Sequence, residues 1–122
     1  MTFGDHLGFS TAVDAVGVDH VRLGYQYLDR GDRDGYASLL DAAAVLDEPG
    51  HEQVRGRGAV AGLRRARGRG EHDVREVFSA DGQVAAVGRF VGREVLDFAD
   101  IFTVSDSGLL VSQRCYYFVH PR

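Results

Sequence analysis

Asp100 lies in the stretch Glu94–Val104, where Leu96, Phe98, Asp100 and Phe102 share one face of an extended chain. Val95, Asp97, Ala99, Ile101 and Thr103 share the other. A carboxyl group on an aromatic, apolar face is desolvated, which favours its neutral form and suits it to donate a hydrogen bond or act as a general acid. The everyday alternative is a structural acid paired with Arg89 or Arg114, or hydrogen-bonded to a tyrosine, and an isolated strand Asp more often has that role. Glu48 stands just before Pro49 at the end of a short apolar run, with Asp47 and His51 beside it. All three are general bases by type, although a carboxylate in a turn is usually solvated.

Other reactive residues form no constellation. The histidines at 6, 20, 51, 72 and 120 show no His-x-His or His-x-x-x-His spacing, so no metal is expected. The single Cys115 excludes an intramolecular disulfide framework and a Cys-rich zinc site, and it reads as an inert buried thiol. The chain has no Lys, which removes Schiff-base chemistry. Residues 56–61, GRGAVA, match a dinucleotide-binding glycine pattern in form but lack a preceding apolar strand, and no cofactor is expected. Six arginines fall within residues 55–70. They read as a solvated helix face, with a docking patch for a carrier protein's phosphopantetheine arm or a coenzyme A phosphate as the sharper alternative.

The elements that must position these groups follow from hydrophobic period. From Asp14 to Arg30, Val18, Val21, Tyr25 and Leu28 recur at three- and four-residue steps, an amphipathic helix with Asp19, Arg22, Gln26 and Asp29 outward. Residues 1–13 lack a period and read as a frayed lead-in. Gly31 ends the helix, and Asp32 caps a second one over Arg33–Leu40. Residues 42–50 read as a short strand closing in a Pro49-Gly50 turn, and 57–67 as a third helix with Val60 and Leu63 inward and Gly68 and Gly70 ending it. Strands follow over 72–78, 83–91, 94–104 and 109–119, separated by turn residues. Three helices and a mostly antiparallel meander make an α+β protein. A curved sheet with helices on one side forms a cone enclosing a hydrophobic pocket, the kind of place ligands favour.

Composition agrees. The chain of 122 residues, 44% hydrophobic and 26% charged, suits a single domain spanning 1–122. A net charge of −4 argues against nucleic acid as the main partner. No apolar run is long enough to span a membrane, and the N-terminus shows no secretory signal, so a cytoplasmic protein is expected.

Two stretches carry a family resemblance: YLDRGDRDGYASLLDAAAVLDEPG (27–50) with RGAVAGL (57–63), and DFADIFTVSDSGLLVSQRCYYF (97–118). Together they resemble the SnoaL-like and ketosteroid-isomerase-like branch of the nuclear transport factor 2 superfamily. A helix ends in Gly-Asp before a short helix, a strand runs into an acid and Pro, and an Asp-x-Phe strand precedes a Gly turn and an Arg-containing strand. The resemblance implies the cone fold and pairs the two carboxyls: Glu48 falls on the isomerases' general base, and Asp100 on their protonated oxyanion-hole acid. Their oxyanion-hole Tyr corresponds to Gly24, with Tyr25 one residue on and rotated by about 100°. Tyr25, Tyr36 and Tyr117 are therefore the alternative donors.

The reading that follows is a small acid/base enzyme acting on a hydrophobic carbonyl compound, a polyketide-type cyclase or isomerase of secondary metabolism. Glu48 and Asp100 would be its catalytic residues, and Tyr25, Tyr36, His51, Phe102 and Tyr117 would line the substrate. The alternatives are a non-enzymatic ligand-binding or dimerisation module on the same fold, and an epoxide-hydrolase-like enzyme that adds water. The last would need Asp97, Arg89 or Arg114, and Asp100 to converge, yet Asp97 and Asp100 lie on opposite strand faces. A homodimer through the sheet is also expected, from the resemblance and from the apolar content of both faces of 94–104.

Overall fold

The computed structural model describes residues 3–66 and 70–119, with side chains at 14–63 and 70–118. Helix α1 spans Phe3–Arg30 and so starts well before the apolar period, in the stretch that reads as a lead-in. Its inner stripe is the one the period marks: Val21 and Tyr25 are buried, with Val18 and Leu28 packed beside them. At its end the Asp32 N–H bonds to the Tyr27 carbonyl and the Gly31 N–H to the Leu28 carbonyl, with Gly31 at φ 72°. This is a Schellman closure, which requires the left-handed backbone that glycine accepts without strain. Asp32 then caps helix α2, Arg33–Ser38, by accepting from the Gly35 N–H at 2.8 Å.

The chain extends directly into strand β1, Leu40–Asp47, so α2 is shorter and β1 longer than periodicity indicates. A two-residue strand not anticipated from sequence, β2 (Val54–Arg55), pairs antiparallel with the end of β1. Helix α3, Arg57–Ala66, buries Val60 and Ala61. Strands β3 (Gly70–Ala80), β4 (Gln83–Gly92), β5 (Val95–Val104) and β6 (Leu110–Val119) complete the chain. Gly70, read as a helix terminator, opens β3 instead, and Gly68 lies outside the described residues. The β3–β4 turn has both Asp81 (φ 52°) and Gly82 (φ 78°) in the left-handed region, as a tight hairpin turn requires.

The six strands form one curved, open sheet in the order β2-β1-β6-β5-β4-β3. Every pairing is antiparallel except β1 with β6, which is parallel. All three helices pack on one face, α1 across β3 and β4, and α3 on β1. Alternation then sorts the side chains. Phe98, Asp100, Phe102 and Val104 of β5 are buried toward the helices, as are Val84 and Ala86 of β4 and Gln113 and Cys115 of β6. The fold is the α+β cone, and it brings polar side chains onto an otherwise apolar inner face. No helix among the described residues is long and apolar enough to cross a membrane.

Candidate functional site

Sheet register places the polar residues. Asp100 pairs with Ala86 on β4 and with Cys115 on β6. In the parallel β1–β6 pairing Leu46 faces Gln113 and Asp47, the last residue of β1, faces Arg114. Glu48 follows directly, where the chain leaves the strand for the Pro49-Gly50 turn. Contrary to the solvated turn acid its position suggests, Glu48 is only 7% exposed.

Asp100 is 2% exposed. Neither Arg89 nor Arg114 reaches it: the Arg89 Nε donates to Asp97 at 2.9 Å on the opposite face. Instead the Tyr25 hydroxyl donates to Asp100 Oδ2 at 2.6 Å in the interior. Tyr25 comes from the inner stripe of α1, so a residue one step from the position that the family pattern indicates supplies the phenol. The other carboxyl oxygen, Oδ1, is buried and has no hydrogen-bond partner among the described residues. A buried polar atom left in that state is costly in a native fold.

The Tyr25 ring is enclosed by aromatics. Phe98 lies 5.6 Å away between centroids, Phe102 6.2 Å in an edge-on arrangement, and His72 4.9 Å. His72 stands on the inner face of β3, and Nδ1 of its ring is 2.6 Å from Asp29 Oδ1. Its backbone N–H also donates to Asp29 Oδ2 at 3.0 Å. Asp29 was expected on the outer side of α1, but it turns toward β3. A carboxylate only accepts, so Nδ1 carries a hydrogen and donates it to Asp29. Sequence reasoning missed this pair because Asp29 and His72 fall in no motif. The available signal was that Tyr25 and Asp29, four residues apart, share a helix face.

The remaining candidates divide. The Tyr36 hydroxyl donates to Gln113 Oε1 at 3.2 Å, and the Gln113 amide donates to Cys115 Sγ at 3.3 Å, a polar chain beneath α2. A cavity with room for about one water molecule opens beside it, lined by Val21, Gly24, Tyr25, Tyr36, Phe102 and Gln113. Tyr117 is half-buried opposite Phe98 on the inner face. His51 is exposed in the turn after Glu48 and is not brought to the cavity. Among the described residues no group of three or more His, Cys, Asp and Glu is placed to hold a metal ion. Of the arginine-rich stretch, the side chains of Arg64, Arg65, Arg67 and Arg69 lie outside the described residues.

An open, curved sheet folded over three helices, with an acid–phenol pair inside, defines the cone class of α+β proteins. A sequence profile of the SnoaL-like domain matches residues 21–113, most of the chain, and the chain belongs to that family. Among curated proteins, none matches the sequence. Solved structures share the fold at distant identity. A proposed ketosteroid isomerase from Kribbella flavida is 17% identical with TM-score 0.80, covering 89% of this chain and 82% of that one. A proposed SnoaL-like polyketide cyclase from Jannaschia is 14% identical with TM-score 0.78, covering 86% and 87%. An epoxide hydrolase of limonene-epoxide-hydrolase type from M. tuberculosis is 19% identical with TM-score 0.74, covering 86% and 84%.

Proposed function

We propose that this chain is a small acid/base enzyme acting on a hydrophobic carbonyl compound, isomerising it or closing a ring by aldol-type addition. The observation that supports this best is the buried Tyr25–Asp100 hydrogen bond, which occupies one carboxyl oxygen and leaves the other unpartnered on an apolar face. With a proton on Oδ1, Asp100 donates to the substrate's carbonyl oxygen, and Tyr25 holds it in orientation. As the carbon–hydrogen bond next to that carbonyl breaks, its electron pair moves toward oxygen, where the donor stabilises the developing charge. Glu48 accepts the proton from carbon and returns it to another position. The Asp29–His72 pair, in contact with the Tyr25 ring, is the alternative base. The epoxide-hydrolase reading is less well supported, because Asp97 and Arg89 pair on the face opposite Asp100. The protein acts in the cytoplasm, where its lone buried thiol Cys115 stays reduced, and as a homodimer through the outer sheet face.

The test uses β-tetralone, whose hydrogens next to the carbonyl exchange in heavy water under acid/base catalysis, followed by proton NMR. Asp100→Ala, which removes the donor, is expected to slow the exchange by about 10²- to 10³-fold, the usual worth of an oxyanion donor. Glu48→Gln and His72→Asn, measured side by side, identify the base, whose loss costs about 10²- to 10⁴-fold. If Asp100→Ala and both base variants exchange at the wild-type rate, the protein is a binding or dimerisation module.

A further inference from the structure

Gly24 sits in the interior of α1 and is buried, four residues from Leu28 and next to Tyr25. Glycine in the middle of a helix is unfavourable relative to alanine, so a buried one calls for a cause. Close packing is the usual cause, and other glycines of this chain show it. A β-carbon at Gly88 would stand 2.2 Å from the Asp73 carbonyl oxygen, and one at Gly17 would stand 3.2 Å from Val84 and Val104. Gly24 differs. A β-carbon there would meet Tyr36 at 3.5 Å and Leu39 at 3.7 Å, ordinary van der Waals contacts. Alanine therefore fits, and packing does not explain the glycine.

The missing side chain leaves space instead. Gly24 lines the cavity beside Tyr25, together with Val21, Tyr36, Phe102 and Gln113. The space holds about one heavy atom with its hydrogens, and its walls are mostly apolar. One wall is the phenol whose hydroxyl is bonded to Asp100.

We propose that Gly24 is a specificity-determining residue: its missing side chain forms a notch that receives a methyl-sized apolar substituent of a ligand whose oxygen is held by Asp100. This deepens the acid/base reading and rests on it for the docking of that oxygen. Ligands carrying the substituent at the matching position bind more tightly, and larger groups there are rejected because Tyr36 and Phe102 close the notch.

The test has a ligand-free arm and a ligand arm. Gly24→Ala is expected to raise the urea unfolding midpoint, since alanine fits and favours the helix; a lower midpoint would show that packing holds the glycine and would overturn the proposal. The ligand arm uses β-naphthol, a planar enol-like probe, and its mono-methyl isomers, with binding followed by fluorescence. One methyl isomer is expected to bind wild type about fourfold more tightly than the parent, the worth of one buried methyl-sized group. Gly24→Ala should abolish that preference, so that the favoured methyl isomer binds no more tightly than the parent. No methyl preference in wild type, or one that survives Gly24→Ala, overturns the proposal. Asp100→Ala separates the two readings: parent binding that ignores this change counts against the acid/base site, whereas Asp100-dependent binding without a Gly24-dependent methyl preference counts against the notch alone.

Discussion

Tyr25 and Asp100 meet inside the core through a single hydrogen bond between phenol and carboxyl. The phenol's hydroxyl has its partner at 2.6 Å, and the carboxyl has one of its two oxygens satisfied. Tyr25→Phe keeps the ring against Phe98 and His72 but strips Asp100 of its donor. Leaving a buried polar group unsatisfied costs about 1–3 kcal/mol, so the variant should unfold at lower urea with an unchanged denaturant slope. Replacing both partners by apolar groups is close to neutral in general. Tyr25→Phe combined with Asp100→Leu is therefore expected to regain most of the lost stability while losing exchange activity. A double variant no more stable than Tyr25→Phe alone would mean that the pair serves the fold and not a reaction.

Among the elements, the junction of α1 and α2 bears most directly on the site, because it sets where Tyr25 and Asp29 point. Gly31 closes α1 and Asp32 opens α2, two adjacent residues that aim one helix across β3 and β4 and turn the chain back into β1. Gly31→Ala forces a β-carbon into left-handed backbone at φ 72°, and the expected cost is about 1 kcal/mol. Asp32→Ala removes the cap at a similar cost of about 1 kcal/mol. Both are read as falls in the urea midpoint, and neither should change exchange activity if α1 keeps its seat on the sheet. This junction was legible in the sequence because capping chemistry is local and residue-specific. The start of α1 at Phe3 was not, since propensity and helix continuation leave no apolar period there. The parallel contact of β1 with β6 and the two-residue β2 depend on pairing between distant segments, which alternation does not encode. The same limit divides the site. Asp100 and Phe102 announced themselves as a polar residue among apolar ones on one strand face, and Glu48 by its place before Pro49. The Asp29–His72 contact spans α1 and β3, and an Asp in a helix's last turn, disfavoured by the dipole, reads from sequence as a surface residue.

At the scale of the whole molecule, one sheet face is covered by helices and the other is not. On the uncovered face Val87 of β4, Ala99 of β5 and Tyr116 of β6 lie in one row. Phe118 at 59% exposure and Phe78 at 56% flank it, with Val91 and Val95 beyond. Charge on that face lies at the Arg89–Asp97 pair and at Arg114 beside Asp47, and along the edge strand β3 at Glu71, Asp73 and Glu76, the last in the same row as Val87. The hydrogen bond to Tyr116, with the Asp47 carboxylate nearby, raises the Arg114 pKa above its ordinary value. Isolated apolar residues at a surface need no explanation, but a contiguous patch on a sheet marks an interaction surface. In the proposed homodimer a second copy presents the same face across a two-fold axis, the commonest symmetry of soluble oligomers. Light scattering at micromolar concentration should accordingly give twice the chain mass of 13.3 kDa, and the unfolding midpoint should rise with protein concentration. Ala99→Arg, which sets a long charged side chain in the middle of the patch, should return the mass to that of one chain, with the circular dichroism spectrum showing that the fold persists. Because Asp100 faces the helices from the other side of β5, the monomeric variant should still bind β-naphthol. Wild-type protein that scatters as a monomer at these concentrations would refute the dimer, and loss of naphthol binding with the dimer would tie the inner face to the outer one.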